Sequence, residues 1–342
     1  MTRPRRLDEL ALARLLREQD GVVTRRQVQD LGGQPHDVRR MLRRRELAQV
    51  HPGVYVDHTG EPSRRQLQWA AVLALAPAWL HRESALEAHG FRRDRERPDP
   101  AVHVMVDASR TVEAPPGVRV ERVRHAARWA QDNRRPPRAH LDFALLKVAS
   151  GRTESSAVAL LADACQQGLT TPQRLLAALA GLPRLPGRAW LLEVLRDVAA
   201  GTRSVLERRF LREVERAHGL PIAGRQHRTS ADGAVTYRDA HYRPHRTVVE
   251  LDGRFGHTDS EDRWHDLERD IRAAVDDLVT LRPGWRQVLE PCRLAAAVAR
   301  VLQARGWTGE PQPCGPKCRI GLDRVGSESP GGTEPTRSPR TA

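Results

Sequence analysis

The chain has 342 residues, a formal net charge of +14 and a pI near 11.0, a length that allows two or three domains and a balance that points to a polyanionic partner. No apolar run approaches the roughly 20 residues that a membrane span needs. The start MTRPRRLDEL lacks the apolar centre of a secretory signal, and Cys165, Cys292, Cys314 and Cys318 are too few and too scattered for a disulfide framework, so the reading is cytoplasmic. Lys147 and Lys317 are the only lysines; nearly all the basic charge is arginine, a bias that a GC-rich genome produces without any polyanion.

Residues 7–19 read as a short amphipathic helix with Leu7, Leu10, Leu12, Leu15 and Leu16 as its apolar stripe. Gly21 ends it, and Thr24 is a suitable N-cap for a second helix over 25–31. Gly32-Gly33 breaks the chain before a third helix, about 35–45, with Pro35 in its first turn. Two β-prone runs, 47–51 and 54–56, follow around Pro52-Gly53. Three small helices and a two-strand ribbon are the order of a winged helix-turn-helix, whose third helix enters the major groove. Arg39, Arg40, Arg43 and Arg44 would then reach phosphates or guanine edges, with Arg25 and Arg26 as further candidate DNA contacts. The competing reading is a helix whose basic side is merely solvated.

The segments GVVTRRQVQDLGG, VRRMLRRRELAQVHPGVYV and LHRESALEAHGF resemble the N-terminal domain of the AbiEi-type antitoxins of type IV toxin–antitoxin systems, over roughly residues 8–125. The resemblance implies a winged helix that represses its own promoter, and a toxin protein as a further partner beside DNA.

Residues 64–79 read as another helix and 81–90 as a helical turn, while 102–106 and 118–123 alternate as strands do. Residues 126–138 look like a connector. Residues 141–200 are helical, broken near 170–172 and 182–186, and show no evident chemistry. Residues 308–342, rich in Gly, Pro, Ser, Thr and Arg without an apolar pattern, are expected to be disordered. Within them Cys314 and Cys318 sit in PCGPKC, but no second Cys or His pair follows, so they read as plain tail residues rather than zinc ligands.

The chemistry concentrates in residues 237–257, YRDAHYRPHRTVVELDGRFGH. A β-hairpin centred on Pro244-His245 sets Asp239 opposite Glu250, and the period of two brings Asp252 to the same face while Val249 and Leu251 enter the core. Three carboxylates on one face repel unless a cation offsets them. Mg²⁺ (or Mn²⁺) is the usual offset, which makes metal-assisted phosphodiester hydrolysis the leading hypothesis. A helix over 205–218 precedes the hairpin, with Leu206, Phe210, Val214 and Ala217 as its buried stripe. Glu207 on it is either the second half of a capping box with Ser204 or a fourth acidic group of the site.

Residues 202–307 resemble the DUF559 family, related to the very-short-patch-repair and wider PD-(D/E)xK endonucleases. The matching residues are Ser204, Glu207, Tyr237-Arg238-Asp239, residues 249–254, His257, Arg269-Asp270 and Gly284-Trp285. The resemblance implies a restriction-endonuclease-like α/β domain and Mg²⁺-dependent DNA cleavage with Asp239 and Glu250 as metal ligands. Asp252 stands where those enzymes carry lysine, and Ala240 replaces the usual phenylalanine. Relatives that also lack the lysine use a nearby histidine, which makes His257 the candidate proton carrier. Arg254 or Arg269 would balance charge on the phosphate, though Arg269 fits equally as a helix-surface partner of Asp266 or Asp270. The alternative is a non-enzymatic, antitoxin-like regulator on a degenerate nuclease fold. The expected architecture is thus α/β (α+β): a winged helix over 1–60, an α/β extension over 61–125, a helical connector over 126–201, a nuclease-like domain over 202–307 and a tail over 308–342.

Overall fold

A computed structural model describes residues 6–92, 99–200, 204–231, 234–253, 255, 275 and 277–320; of residues 204 and 225–239 the backbone alone is described. The fold is mixed α/β, as expected, with three sheets among the described residues. It divides into two compact units, residues 1–153 with 160–195 and residues 154–159 with 196–342.

The first unit opens with α1 (Glu9–Glu18), β1 (Val22–Thr24), α2 (Arg25–Asp30), α3 (Pro35–Arg43), β2 (Ala48–His51) and β3 (Val54–Val56). The three strands form an antiparallel sheet in the order β1-β3-β2, with Val23 opposite Tyr55 and Ala48 opposite Val56. Leu12, Val23, Val28, Val38, Met41, Leu47 and Tyr55 close one core between the helices and this sheet, and Leu7, Leu15 and Leu16 pack on its edge. Leu10 departs from the expected stripe: it is 82% exposed, on the far side of α1. The capping box at Thr24 is present, with the Gln27 N–H donating to Thr24 Oγ1 (3.1 Å) and the Thr24 N–H to Gln27 Oε1 (2.9 Å).

Beyond α4 (Arg64–Ala74) the same unit builds a five-stranded sheet from β4 (Trp79–Leu80), β5 (Val102–Asp107), β6 (Val118–Val123), β7 (Ala130–Gln131) and β8 (Arg138–Ala139), in the order β6-β5-β4-β8-β7. Its two long strands are the two that alternate in sequence, and they pair in parallel. Helix α5 (Arg82–Ala88) precedes β5, and α6 (Leu141–Ala149) buries nearly its whole length. Helices α7 (Glu154–Gln166), α8 (Pro172–Ala180) and α9 (Arg188–Ala199) follow. Most of the stretch read as a connector therefore lies within the first compact unit, whose boundary with the second runs through α7.

The second unit begins with α10 (Ser204–Arg209), which continues as a π-helix, Phe210–Arg216. Leu206, Phe210 and Val214 are buried as the helical spacing requires, but the wider π turn moves the inward face by a residue. His218 is fully buried where Ala217 was expected. The sheet runs β12-β11-β10-β9, from β9 (Gly224–Ala231), β10 (Ala234–Tyr242), β11 (Thr247–Val249) and β12 (Val279–Leu281). β9, β10 and β11 form an antiparallel meander, and β12 adds in parallel to β11. The expected helix over 259–277 lies almost wholly outside the described residues. A short helix, Trp285–Val288, leads to the closing helix Pro291–Ala304.

One expectation about the tail needs correcting. Residues 308–320 follow a defined path: the Gln312 N–H donates to the His218 carbonyl (2.8 Å), Gln303 Nε2 donates to the Gly309 carbonyl (3.0 Å), and Cys318 is buried. No helix among the described residues is long and apolar enough to cross a membrane.

Candidate nucleic-acid interface and the carboxylate face

The geometry of α3 follows from a few local choices. Pro35 opens it, and Asp37 Oδ2 accepts the Gln34 N–H at 2.8 Å, which fixes the first turn. Val38 and Met41 face inward into the core. Helical spacing then turns His36, Arg39 and Arg43 outward together, and all three are exposed. The turn before it needs both its glycines. Gly32 has φ +88°, and a Cβ on Gly33 would lie 2.6 Å from Val28 Cγ1 and 2.7 Å from the Val28 carbonyl oxygen.

The six winged-helix arginines assigned to DNA are not equivalent. Arg39 and Arg43 are exposed and make no ion pair with any described residue. Arg40 is half-buried, its Nη2 3.4 Å from Asp37 Oδ1. Arg44 lies 3.8 Å from Glu46, and Arg26 lies 3.9 Å from Asp30, both as exposed pairs of small energetic weight. Arg25 donates through Nε and Nη2 to the Tyr55 hydroxyl, at 3.3 and 3.1 Å, so it is held against the wing. The wing itself offers no cation. Its sequence, AQVHPGVYV, has one histidine, His51, which is buried, and burial lowers its pKa. Of these six, Arg39 and Arg43 on the outer face of α3 carry exposed charge that no described carboxylate pairs, as do Arg14 and Arg17 on α1. The spacing of Asp37 and Arg40, three apart on a helix, is the sequence signal that sets Arg40 apart from its neighbours.

The hairpin in the second unit has the expected register. Tyr242 pairs with Thr247, His241 with Val248 and Ala240 with Val249, where the ladder ends one step short of Asp239 and Glu250. The turn is a 3₁₀ helix, Arg243–His245. Val249 and Leu251 are fully buried, whereas Glu250 and Asp252 are part-exposed, which is the alternation that puts those two carboxylates on one face. The Glu250 N–H donates to the Leu281 carbonyl (2.9 Å) and the Asp252 N–H to the Pro283 carbonyl (3.1 Å), so both are seated along β12 and its continuation.

The parallel partner also brings a residue that the sequence did not suggest. Arg282 Nε lies 3.2 Å from Glu250 Oε2. A guanidinium thus stands beside Glu250 where a metal ion was expected, while the side chain of Asp239 lies outside the described residues. Glu207 is part-buried on α10. Arg254, His257 and Arg269 lie outside the described residues.

The first unit also holds a half-buried charge cluster that the sequence did not suggest. Glu121 on β6 pairs with Lys147, and His81 Nε2 approaches it at 3.3 Å, off-line for a full hydrogen bond. The second unit gathers His218, Cys292, Cys314 and Cys318, with their ligand atoms all within 4.8 Å of one another. That grouping runs against the reading of Cys314 and Cys318 as plain tail residues. The partners missing from the local sequence lie 22 residues and about a hundred residues upstream of the tail pair.

Helix order, the β1-β3-β2 sheet and an outward basic third helix define a winged-helix module. Residues 11–56, this same segment, match the model of a family described as transcriptional regulator, AbiEi antitoxin. That match includes none of residues 202–307. Among solved structures, the chain is similar to the RV2827C protein from Mycobacterium tuberculosis, known from its crystal structure, at 23% identity over 55% of this chain and 78% of that one, with a TM-score of 0.34. No curated protein matches the chain.

Proposed function

We propose that the chain is a DNA-binding transcriptional regulator of the antitoxin type, which inserts α3 into the major groove and meets the phosphates that line it, as well as base edges, with Arg39 and Arg43. The observation that carries this reading is the two-sidedness of α3. Val38 and Met41 lock one face into the core, and the opposite face presents two arginines that no described carboxylate neutralises. The family match over residues 11–56 supports it. Arg44, Arg25 and Arg26 sit at the margins and would hold phosphates. The test is fluorescence anisotropy of the full chain on the DNA upstream of its own gene against a shuffled duplex. Tighter binding to the former supports the reading; equal affinity for both removes the regulator role. A toxin protein as second partner is part of the same proposal, and coexpression with the product of an adjacent gene followed by co-purification tests it.

A second reading, a Mg²⁺- or Mn²⁺-dependent DNA endonuclease, is favoured by one observation, the register ending at Ala240–Val249, which continued by one step would set Asp239 opposite Glu250 with Asp252 two residues on. The Arg282–Glu250 pair weighs against it. In this reading Arg282 must withdraw before Asp239, Glu250 and Asp252 could hold a divalent cation, and His257 is the residue proposed to carry the proton. A plasmid-nicking assay with each metal compares the wild type with Asp239→Ala and Arg282→Gln. Nicking that Asp239→Ala abolishes supports the nuclease. Absence of nicking in all three proteins, or equal nicking by all three, removes it.

A further inference from the structure

The geometry points to a closed zinc site, built from His218, Cys292, Cys314 and Cys318, that staples the C-terminal tail to the second unit. Three of the four cysteines in the chain meet here, all as free thiols, although they are spread over 27 positions and the histidine lies 74 residues further upstream. Cys292 Sγ and Cys314 Sγ are 3.6 Å apart, and Cys318 Sγ is 3.7 Å from His218 Nε2. Around a tetrahedral zinc, with Zn–S near 2.3 Å and Zn–N near 2.0–2.1 Å, the edges work out at about 3.8 Å between sulfurs and about 3.6 Å between sulfur and nitrogen. Both observed edges fall within about 0.2 Å of those values. A disulfide would need the sulfurs at about 2.05 Å.

The surroundings fit a ligand set. His218 is fully buried, and its Nδ1 lies 3.1 Å from the Val214 carbonyl. That bond takes the ring proton on Nδ1 and leaves the Nε2 lone pair facing the thiols, the arrangement metal-bound histidines use. The Cys318 N–H donates to the Gly315 carbonyl (3.0 Å), so the three residues between Cys314 and Cys318 form a tight turn that aims both sulfurs the same way. Cys292 is fixed in the first turn of the closing helix Pro291–Ala304.

Three thiolates and an imidazole are a soft donor set that selects zinc, and four protein ligands leave no coordination position for water. The role is structural. Residues 308–320 have no apolar pattern of their own, so burial alone gives them little reason to keep a defined path. Metal binding free energy supplies it. This inference is independent of the DNA-reading proposal.

The test uses the full chain. Elemental analysis after purification is expected to find one zinc per chain. Replacing it with Co²⁺ is expected to give the visible ligand-field bands of a tetrahedral site and a thiolate charge-transfer band. Cys314→Ser, at an exposed position that the core does not depend on, should lose metal and those bands while far-ultraviolet circular dichroism holds. Cys165→Ser should keep both. Chelation should speed proteolytic cleavage within residues 308–320 and leave the winged helix intact. Protein that carries no zinc and takes up no Co²⁺ under reducing conditions overturns the proposal, as does thiol counting that finds Cys292 and Cys314 joined as a disulfide.

Discussion

Removing Arg39 and Arg43 together is the sharpest test of how α3 is used. Both are exposed, neither is neutralised by a described carboxylate, and neither touches the core, so Arg39→Ala/Arg43→Ala should leave the fold in place. Each phosphate contact contributes about 0.9 to the slope of log K against log salt concentration. If both arginines reach DNA, the slope becomes shallower by about 1.8. Between roughly 50 and 200 mM salt that is about a tenfold smaller loss of affinity for the variant than for the wild type. Arg40→Ala is the internal comparison. Its guanidinium is already engaged by Asp37, 3.4 Å away, so its removal should change the slope by clearly less than 0.9. Anisotropy titrations of one labelled duplex across a salt series give all three slopes. Slopes for the double variant and the wild type that coincide, with unchanged circular dichroism, would falsify the placement of α3 on DNA. A shift carried by Arg40 alone would mean that the Asp37 pair opens on binding and that the free-charge argument is wrong.

Two further outcomes follow from packing and charge. Gly33→Ala should destabilise the winged helix by about 1–3 kcal/mol, because the added Cβ meets the Val28 backbone oxygen at 2.7 Å and backbone cannot yield as a side-chain tip can; a thermal melt unchanged from wild type would refute the tight-turn account. Burial raises the Glu121 carboxyl, but the contacts to His81 and Lys147 more than offset this and bring it down to about 2 from 4.5. A depressed carboxylate contributes stability that is complete above its unfolded value and is lost as pH falls through its folded one. Glu121→Gln should therefore be less stable than wild type by about 1–2 kcal/mol above pH 5, allowing for solvent screening at a partly exposed group, with the gap closing toward pH 2. Urea titrations at a series of pH values measure it, and a gap that stays constant down to pH 2 would rule out the ion pair as its cause.

The winged helix was legible because almost everything that fixes it is local. Thr24, Gly32-Gly33, Pro35 and Pro52-Gly53 act within a few residues of themselves, and the apolar spacing of Val38 and Met41 sets which side of α3 faces out. Leu10 is misplaced because α1 has four leucines and only one narrow side to bury. The hairpin register was legible for the same reason: a short turn fixes which residues oppose each other, so counting outward from Pro244-His245 sets Ala240 opposite Val249. The π-helix was not, since one inserted residue in a helix leaves no trace in the apolar pattern until His218 is seen inside.

What escaped the sequence is what distant strands and segments bring together. Arg282 reaches Glu250 because Val249 pairs with Leu281 across a parallel ladder, and a parallel register is set by the whole crossover between the strands rather than by any turn. The four metal-ligand candidates meet by the same kind of remote coincidence. A zinc motif is recognised in sequence by two close pairs, and here the only close pair is Cys314 with Cys318; His218 comes from the end of the π-helix and Cys292 from the first turn of the closing helix. The two remote findings act in opposite directions on the second unit. A metal ion on the sheet that used Glu250 would have to displace the Arg282 guanidinium from it. A zinc ion at the tail, as proposed, would displace no such partner, because Cys292, Cys314 and Cys318 are free thiols and the Nε2 of His218 already faces Cys318.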